Sequence, residues 1–257
     1  MCCGAIGADE LGEMFQKALE KEGISSEIVV ITEKYTYCNV ILHEAYKDRR
    51  YLFSKGANAC VLFGEIPSIG LVGKDFIEVI QCAKQNYNSR ICLDTLVSGD
   101  EDYAWMSGYW QNIDFIHCNK GEGCDISKQG TLENIALWIM DQGIKLGVIT
   151  DGAQGCCYTY QGVFGYQKAY EVKEVDATGA GDAMTAGIIS KLLSIDKYGS
   201  DRLHAINQHT IDDLIQYGSA LGKQRTKISL FCRLIYVTPE GLAFLILGSM
   251  GFNPSIR

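Results

Sequence analysis

The residues best suited to chemistry form one stretch of small residues, 175–184, which reads VDATGAGDAM. Gly179 and Gly181 flank an alanine immediately before a run with the apolar spacing of a helix. A small-residue turn that opens a helix exposes backbone N–H groups, and the helix dipole adds positive potential there. The stretch therefore predicts an anion site that needs no basic residue. Asp182, in the first helical turn, could accept a proton from a hydroxyl that attacks a phosphoryl group.

A structural interpretation of the same stretch is equally open from these residues alone. Thr178 can cap the helix, and Asp182 can interact with the positive end of its dipole. The stretch is not a Walker A loop, because no Gly-Lys-Ser or Gly-Lys-Thr follows, and it lacks the G-x-G-x-x-G order of a dinucleotide site. Its chemistry therefore depends on where the surrounding elements place it.

Strand-like and helix-like patterns alternate along the chain from residue 59 onward. Strands are predicted at ACVLFG, SRICLDT, DFIHCN and KLGVITDG, and a hairpin at GCCYTYQGVFGYQKAY. Helices are predicted over 74–86, 131–142, 178–193 and 211–221, and residues 105–110 are helical or irregular. This alternation predicts an α/β fold whose mostly parallel central sheet is flanked by helices. Ligands of such sheets bind at the carboxyl ends of the strands, where we expect the site.

The first sixty residues follow a different pattern. An amphipathic helix is predicted over 9–22, and Gly23 ends it. Three short β-like runs follow, over 27–32, 37–43 and 50–54. Because no helix separates these runs, they predict a small antiparallel sheet that is distinct from the central one.

Composition excludes several classes of function. The 257 residues are 47% hydrophobic and 21% charged, which predicts one globular domain with a sizeable core rather than a disordered chain. The net charge of −8, without a basic run longer than two residues, lacks the footprint of a nucleic-acid-binding protein. No secretion signal is visible, and the longest apolar stretch, 241–252, is too short to cross a bilayer. We therefore expect a cytoplasmic protein without nucleic-acid or membrane partners.

Cysteines and histidines show no metal-site spacing. The eleven cysteines are odd in number and contain no C-x-x-C, and several lie inside apolar runs. We interpret them as buried free thiols in a reducing compartment. The four histidines share no motif and are interpreted as core or surface residues; they are His43, His117, His204 and His209.

The stretch VDATGAGDAMTAGI resembles the signature of the ribokinase family, also called the PfkB carbohydrate kinases. Three further segments resemble motifs of that family in the same order. GAIGADELG at 4–12 is similar to its G-x-x-G-x-D-x-x-G segment, NKGE at 119–122 to its N-x-x-E motif, and TDGAQG at 150–155 to its T-x-G-x-x-G nucleotide loop. GAN at 56–58 also fits ribokinase-like members, so the resemblance extends from residue 4 to about residue 222.

The resemblance implies a ribokinase-like fold over residues 1–257 as a single domain, with 27–55 contributing a small, partial β lid. It implies ATP-dependent phosphorylation of a sugar hydroxyl, with Asp182 as the base and with Gly179, Ala180 and Gly181 around the transferred group. Two alternatives stay open: a nucleoside kinase of the same family, and a remnant that only binds nucleotide. We also expect that two copies of the chain can form a homodimer through the lid.

The resemblance also implies roles for residues outside the glycine turn. Each of these has a local structural alternative, such as a turn, a helix cap or a helix start. Glu122 would hold Mg²⁺ through water, and Asp176 with Thr178 would lie by a monovalent cation such as K⁺. Nucleotide contacts fall to Asn119, Thr150, Gly152, Gly155 and Gly181, and substrate contacts to Asp9, Gly12 and Asp182.

The sequence departs from the family pattern at both ends. The family pattern places a first β-strand and a glycine-rich G-G-x-x-x-N stretch, which bind the sugar, ahead of the segment matched by 4–12. We therefore expect one strand fewer in the central sheet, a smaller lid sheet and fewer contacts to the acceptor. Residues 223–257 also leave the pattern, and an unfamiliar apolar tail replaces its small residues.

Overall fold

A computed structural model describes residues 2–24, 26–31, 35–36, 38–42, 50–54, 74–87, 90–95, 106–195 and 206–226. The strands of this part of the chain are β1 (Cys2–Gly7), β2 (Ser26–Ile31), β3 (Cys38–Leu42), β4 (Arg50–Ser54), β5 (Cys92–Asp94), β6 (Phe115–Asn119), β7 (Leu146–Thr150), β8 (Gly155–Tyr160) and β9 (Val163–Lys168). Its α-helices are α1 (Glu10–Lys21), α2 (Lys74–Tyr87), α3 (Lys120–Ser127), α4 (Leu132–Asp141), α5 (Ala180–Ile195) and α6 (Gln208–Thr226).

The largest sheet has five strands in the order β5-β6-β7-β8-β9. Strands β5, β6 and β7 are parallel, whereas β8 and β9 are antiparallel to their neighbours. The predicted hairpin is confirmed, and Gln161 and Gly162 turn it with φ angles of 47° and 80°. Positive φ at both turn residues matches the twist of the flanking strands. The sheet is therefore mixed, with its parallel half at the strands that precede the hairpin.

Helices cover both faces of this sheet, as predicted. On one face, Ile116 and Ile149 pack with residues of α2, α3 and α4, including Ile80, Ile126 and Ile139. On the other face, residues that alternate with them along the strands pack with α5 and α6; the members include Phe115, Val148, Tyr158, Met184, Ile188, Ile211 and Leu214. Strands buried on both faces explain the near-continuous apolar runs of the sequence.

Helices α5 and α6 approach each other closely at glycines. A Cβ on Gly187 would lie 3.1 Å from the Cα of Gly218, and a Cβ on Gly222 would lie 3.0 Å from the carbonyl oxygen of Ala180. A Cβ on Gly218 would meet the Met184 carbonyl oxygen at 3.0 Å. The three glycines therefore let α6 lie directly against the start of α5.

The N-terminal region differs from its prediction. Strand β2 pairs in parallel with β1, with Cys2 opposite Ser26, and α1 connects the two. Only β3 and β4 form the expected antiparallel pair. The three β-like runs therefore do not make one antiparallel sheet, because the first of them joins a βαβ unit whose opening strand, CCGAIG, lacks β-branched residues except Ile6.

Other differences concern single elements. Helix α3 was not predicted, and α5 begins at Ala180, two residues after the predicted start. The predicted strand ACVLFG, the GAN segment and the apolar tail lie outside the described residues. Among the described cysteines, Cys118, Cys156 and Cys157 are buried, whereas Cys82 and Cys92 are exposed. Within the same residues, no helix is long and apolar enough to cross a membrane.

Candidate active site

The carboxyl ends of three parallel strands meet at one edge of the central sheet. Strand β5 ends at Asp94, β6 at Asn119 and β7 at Thr150, and Asn119 stands opposite Thr150 in the register. The start of α5 reaches the same edge, because a Cβ on Gly181 would lie 2.9 Å from Cε1 of His117 in β6. The structure therefore brings the glycine turn to the edge where the topology predicts a ligand site.

The glycine turn closes directly at the start of α5. Gly179 has a φ of +76°, and the Ala183 N–H donates to its carbonyl oxygen at 2.9 Å, which closes the first turn of α5. The Ala180 N–H donates to the Ala177 carbonyl oxygen at 3.0 Å and is used within the turn. The anion site at residues 179–182 stays a prediction, and the Ala180 amide is not available for it.

The Asp182 carboxylate folds back over this turn. Its Oδ2 lies 3.5 Å from the position that a Cβ on Gly179 would take, and Nε of Arg225 lies 3.3 Å from the same position. The side chain is half-buried in the first turn of α5. Arg225 was not among the predicted site residues, because it belongs to the segment after residue 222 that leaves the family pattern.

Asp176 shapes the loop that leads into the turn. Its Oδ1 accepts from the Thr178 N–H at 2.9 Å. The N–H groups of Val175 and Asp176 donate to the Thr226 carbonyl oxygen, at 2.9 and 3.1 Å. These two backbone hydrogen bonds tie the loop to the end of α6.

Asn119 and Glu122 form a reciprocal cap at the start of α3. The Glu122 N–H donates to Asn119 Oδ1 at 3.0 Å, and the Asn119 N–H donates to Glu122 Oε2 at 2.7 Å. The Thr95 hydroxyl also donates to Glu122 Oε2, at 3.1 Å. Burial raises the pKa of the Glu122 carboxyl. These contacts are those of a helix cap, which is the local structural alternative for Asn119. The cap holds Glu122 at the edge of the sheet.

His117, interpreted from the sequence as a core or surface residue, is a core residue that lies at the edge of the site. It is 4% exposed, and its Nδ1 lies 2.8 Å from Asp94 Oδ1. Burial alone would lower the pKa of His117, but the carboxylates of Asp94, Glu122 and Asp182 together raise it. The available signal was a lone histidine near the end of an apolar strand, DFIHCN.

The loop after β7 contains two glycines in conformations that other residues rarely adopt. Gly152 has a φ of +53° and Gly155 one of +110°, and a Cβ on Gly155 would lie 2.2 Å from a backbone oxygen of the neighbouring strand β9. The Asp151 N–H donates to the Gly155 carbonyl oxygen at 2.8 Å. The backbone conformation therefore explains why glycine occupies both positions. The loop that they shape lies beside Thr150 at the edge of the site.

Asp9 and Gly12 form a separate cluster around Thr36. Asp9 caps α1 by accepting from the Gly12 N–H at 2.9 Å, and it accepts from the Thr36 N–H at 2.7 Å. The hydrogen bond from the Thr36 hydroxyl lowers the pKa of the Asp9 carboxyl. Gly12 packs tightly, since a Cβ there would lie 2.3 Å from the Gly7 carbonyl oxygen. The helix-start interpretation of Asp9 accounts for these contacts.

Metal binding at this edge would rest on few protein atoms. No group of three or more His, Cys, Asp or Glu residues among the described residues is arranged to hold a metal ion directly. A carboxylate such as Glu122 nevertheless suits a hydrated Mg²⁺, which usually keeps several waters. The donor set therefore fits a metal held through water and substrate phosphates better than a protein cage.

Comparisons with known proteins agree with this geometry. A family model described as pfkB family carbohydrate kinase matches residues 1–227. Fructokinase-2 of Oryza sativa subsp. japonica is 24% identical over 247 residues, which cover 85% of this chain and 71% of that protein. Fructokinase-2 of Zea mays is 22% identical over 247 residues, which also cover 85% of this chain and 71% of that protein.

Solved structures show the same fold. A ribokinase from Giardia lamblia superimposes with a TM-score of 0.74 at 18% identity, over 88% of this chain and 77% of that one. A fructokinase with bound ATP from Xylella fastidiosa gives 0.71 at 14% identity, over 88% and 79%. A fructokinase double mutant from Vibrio cholerae O395, in its fructose, ADP and potassium ion bound form, gives 0.68 at 18% identity, over 88% and 78%. The expected ribokinase-like fold is thereby confirmed.

Proposed function

Because the chain belongs to the pfkB family of carbohydrate kinases, we propose that it transfers the γ-phosphoryl group of ATP to a sugar hydroxyl. The observation that carries this proposal is the turn at 179–182, which sets the start of α5 and the Asp182 carboxylate at the carboxyl edge of the parallel strands. Fructose is the first acceptor to test, since the compared relatives are fructokinases. A cytoplasmic site of action is part of the same proposal.

Asp182 is the proposed base. Its carboxylate folds over the glycine turn, so an acceptor hydroxyl bound there can transfer its proton to Oδ2 as it attacks phosphorus. The amides of Gly181 and Asp182 hold the oxygens of the transferring group, aided by the positive end of the α5 dipole. Gly179 supplies the left-handed conformation that shapes the turn.

ATP is proposed to lie along the ends of β6 and β7. Thr150, Gly152 and Gly155 provide a loop that backbone and phosphate can approach closely, and Asn119 holds the neighbouring end of β6. Mg²⁺, when bound, would neutralise charge on the phosphates. Glu122 would hold it through water, and the ionised carboxylate that this requires is favoured once a cation approaches.

The remaining proposed roles involve the flanking loops. Asp176 and Thr178 border the turn and would line a site for K⁺, a cation that the Vibrio cholerae fructokinase structure contains. Asp9 and Gly12 would contact the acceptor from the end of β1. Within a single domain of residues 1–257, residues 27–55, which include β3 and β4, would form a lid and a homodimer contact.

Replacement of the proposed base tests the function directly. Asp182→Asn is expected to lower turnover by about 10²–10⁴-fold, the usual contribution of a general base, while ATP affinity stays within a few-fold. ADP release is measured with fructose, ribose and nucleosides, and ATP affinity by calorimetry. Asp213→Asn, at an exposed position of α6, is the control and should keep the turnover of the unmodified chain.

The acceptor panel separates the alternatives. Turnover with nucleosides alone would favour a nucleoside kinase, and stabilisation by ATP without turnover on any acceptor would indicate a nucleotide-binding remnant. Near-normal turnover of Asp182→Asn would show that another group takes the proton.

A further inference from the structure

His117 is a buried polar residue in a strand whose other buried residues are apolar. Its side chain lies on β6 between Ile116 and Cys118, and it is 4% exposed. Burial of an imidazole costs free energy unless its nitrogens find partners. The proposed transfer of a proton to Asp182 does not use this ring, so its place at the site edge needs another explanation.

The ring contacts three different elements. Its Nδ1 lies 2.8 Å from Asp94 Oδ1 at the end of β5, and its Nε2 lies 3.5 Å from the Thr150 hydroxyl at the end of β7. Its Cε1 faces Gly181 in the first turn of α5, at 2.9 Å from the position of a Cβ there. One side chain thus joins the nucleotide loop, the end of β5 and the glycine turn.

The ring lies so near Gly181 that no side chain fits between them. A methyl group at residue 181 would have to displace either the ring or the backbone, because 2.9 Å is shorter than a van der Waals contact. Protein interiors are close-packed and transmit such displacements. The pair Asp94 and His117 therefore forms a rigid support beneath Gly181.

The charges around the ring agree with this placement. Burial alone would lower the pKa of the imidazole, but the negative charges of Asp94, Glu122 and Asp182 raise it above its ordinary value. Beside Arg225, the site edge holds several carboxylates, and the proposed substrate ATP is also an anion. A cationic ring beneath the turn would reduce this repulsion.

We propose that His117 is a positioning residue for phosphoryl transfer: held by Asp94, its ring supports Gly181 and thereby fixes the Gly181 and Asp182 amides relative to Thr150. This inference rests on the proposed function of the same turn. It adds a residue outside the glycine turn to the machinery, and it assigns Asp94 a role at the site.

Two substitutions, one at each member of the Asp94–His117 pair, test the proposed positioning role. His117→Asn keeps an amide group near the place of Nδ1 but removes Cε1 and Nε2, and Asp94→Asn keeps the shape of the partner without its charge. Each is expected to lower kcat by about 10–100-fold, because small misplacements of catalytic groups have effects of that size, while KM for the sugar changes less than about twofold. Amide hydrogen exchange of the segment 179–183 should become faster in both.

An exposed histidine–aspartate pair provides the matched control. His209 Nδ1 lies 3.5 Å from Asp213 Oδ2 on the surface of α6, and the His209 side chain is 85% exposed. His209→Asn should leave kcat and the exchange of 179–183 unchanged. A loss in the His117 variant that this control shares would overturn the inference.

Three further outcomes are informative. Unchanged kcat and unchanged exchange in both variants would overturn the inference, as would a fall in activity that only follows the folded fraction measured by thermal unfolding. If His117→Asn does not fold, Asp94→Asn decides, since the Asp94 side chain is 33% exposed and we expect an isosteric amide to fold there. If the unmodified chain phosphorylates no sugar, the proposed function fails, but faster exchange in the variants would still support the positioning contact.

Discussion

At the scale of single residues, Asp114 stabilises the end of the sheet opposite to the site. Its side chain is 3% exposed and accepts from Lys84 Nζ at 2.8 Å, from Lys145 Nζ at 2.9 Å and from the Ile91 N–H at 2.8 Å. Burial alone would raise the pKa of Asp114, but these partners lower it below its usual value. The carboxylate thus joins α2 to the residues that precede β5, β6 and β7.

Asp114→Asn is expected to lower the free energy of unfolding by about 1.5–3 kcal/mol at pH 7, because it leaves two partly buried lysines without their anion. Urea unfolding measures the loss, with Asp213→Asn as the surface control. Since the folded pKa is lowered, the stabilisation is present above about pH 3.8 and disappears as the pH falls through the folded pKa. A difference between the two proteins that persists undiminished at pH 3 would contradict this assignment.

At the scale of elements, the pairing of α5 with α6 determines the geometry of the glycine turn. Gly222 brings α6 against the Ala180 carbonyl oxygen, and the end of α6 accepts two backbone hydrogen bonds from the loop at 175–176. A shift of α6 would therefore move the first turn of α5, which carries the proposed base. The close approach of two helices is in this way connected to the chemistry.

Gly218→Leu is expected to destabilise the fold by about 1–3 kcal/mol, since its side chain would meet the Met184 carbonyl oxygen and Ile188. It should also reduce turnover, because α6 must move away from α5. Gly130→Leu, at a position with no atom within 4 Å of a Cβ, is the control. Thermal unfolding and ADP release measure both effects. Equal stability of the two variants would show that α6 tolerates the extra volume.

At the scale of the whole molecule, the two covered faces of the central sheet bury thiols from solvent. Cys118 and Cys157 face one layer of helices, and Cys156 faces the other. Burial raises the pKa of Cys156 to about 11 and that of Cys157 to about 12. Reactivity of these thiols therefore reports whether both helical layers are in place.

Alkylation with iodoacetamide at pH 8 is expected to label Cys82 within minutes and to leave Cys118, Cys156 and Cys157 unlabelled until urea unfolds the chain. Peptide mass spectrometry gives the extent at each residue. Rapid labelling of Cys157 in the folded protein would show that the layer of α3 and α4 opens readily.

Local patterns predicted the elements whose residues interact along the sequence. Helices α1 and α4 were expected from local sequence patterns, and in the structure Asp9 and Thr131 cap them. Helix α3 was not expected, because its eight residues, KGEGCDIS, include two glycines and have no clear apolar face. Its start depends on the reciprocal cap of Asn119 and Glu122, which is visible in the sequence only as N-x-x-E.

Local sequence patterns predict the α/β class, the small-residue turn before α5 and the family that the motifs resemble, because these features depend on residues close together in the chain. The pairing of β2 with β1, the hydrogen bond from Thr95 to Glu122 and the place of His117 beneath Gly181 are visible only in the folded chain. Those contacts join segments separated by many residues, and they follow from strand order and helix packing. The turn was therefore predictable from the chain, whereas the support beneath it was not.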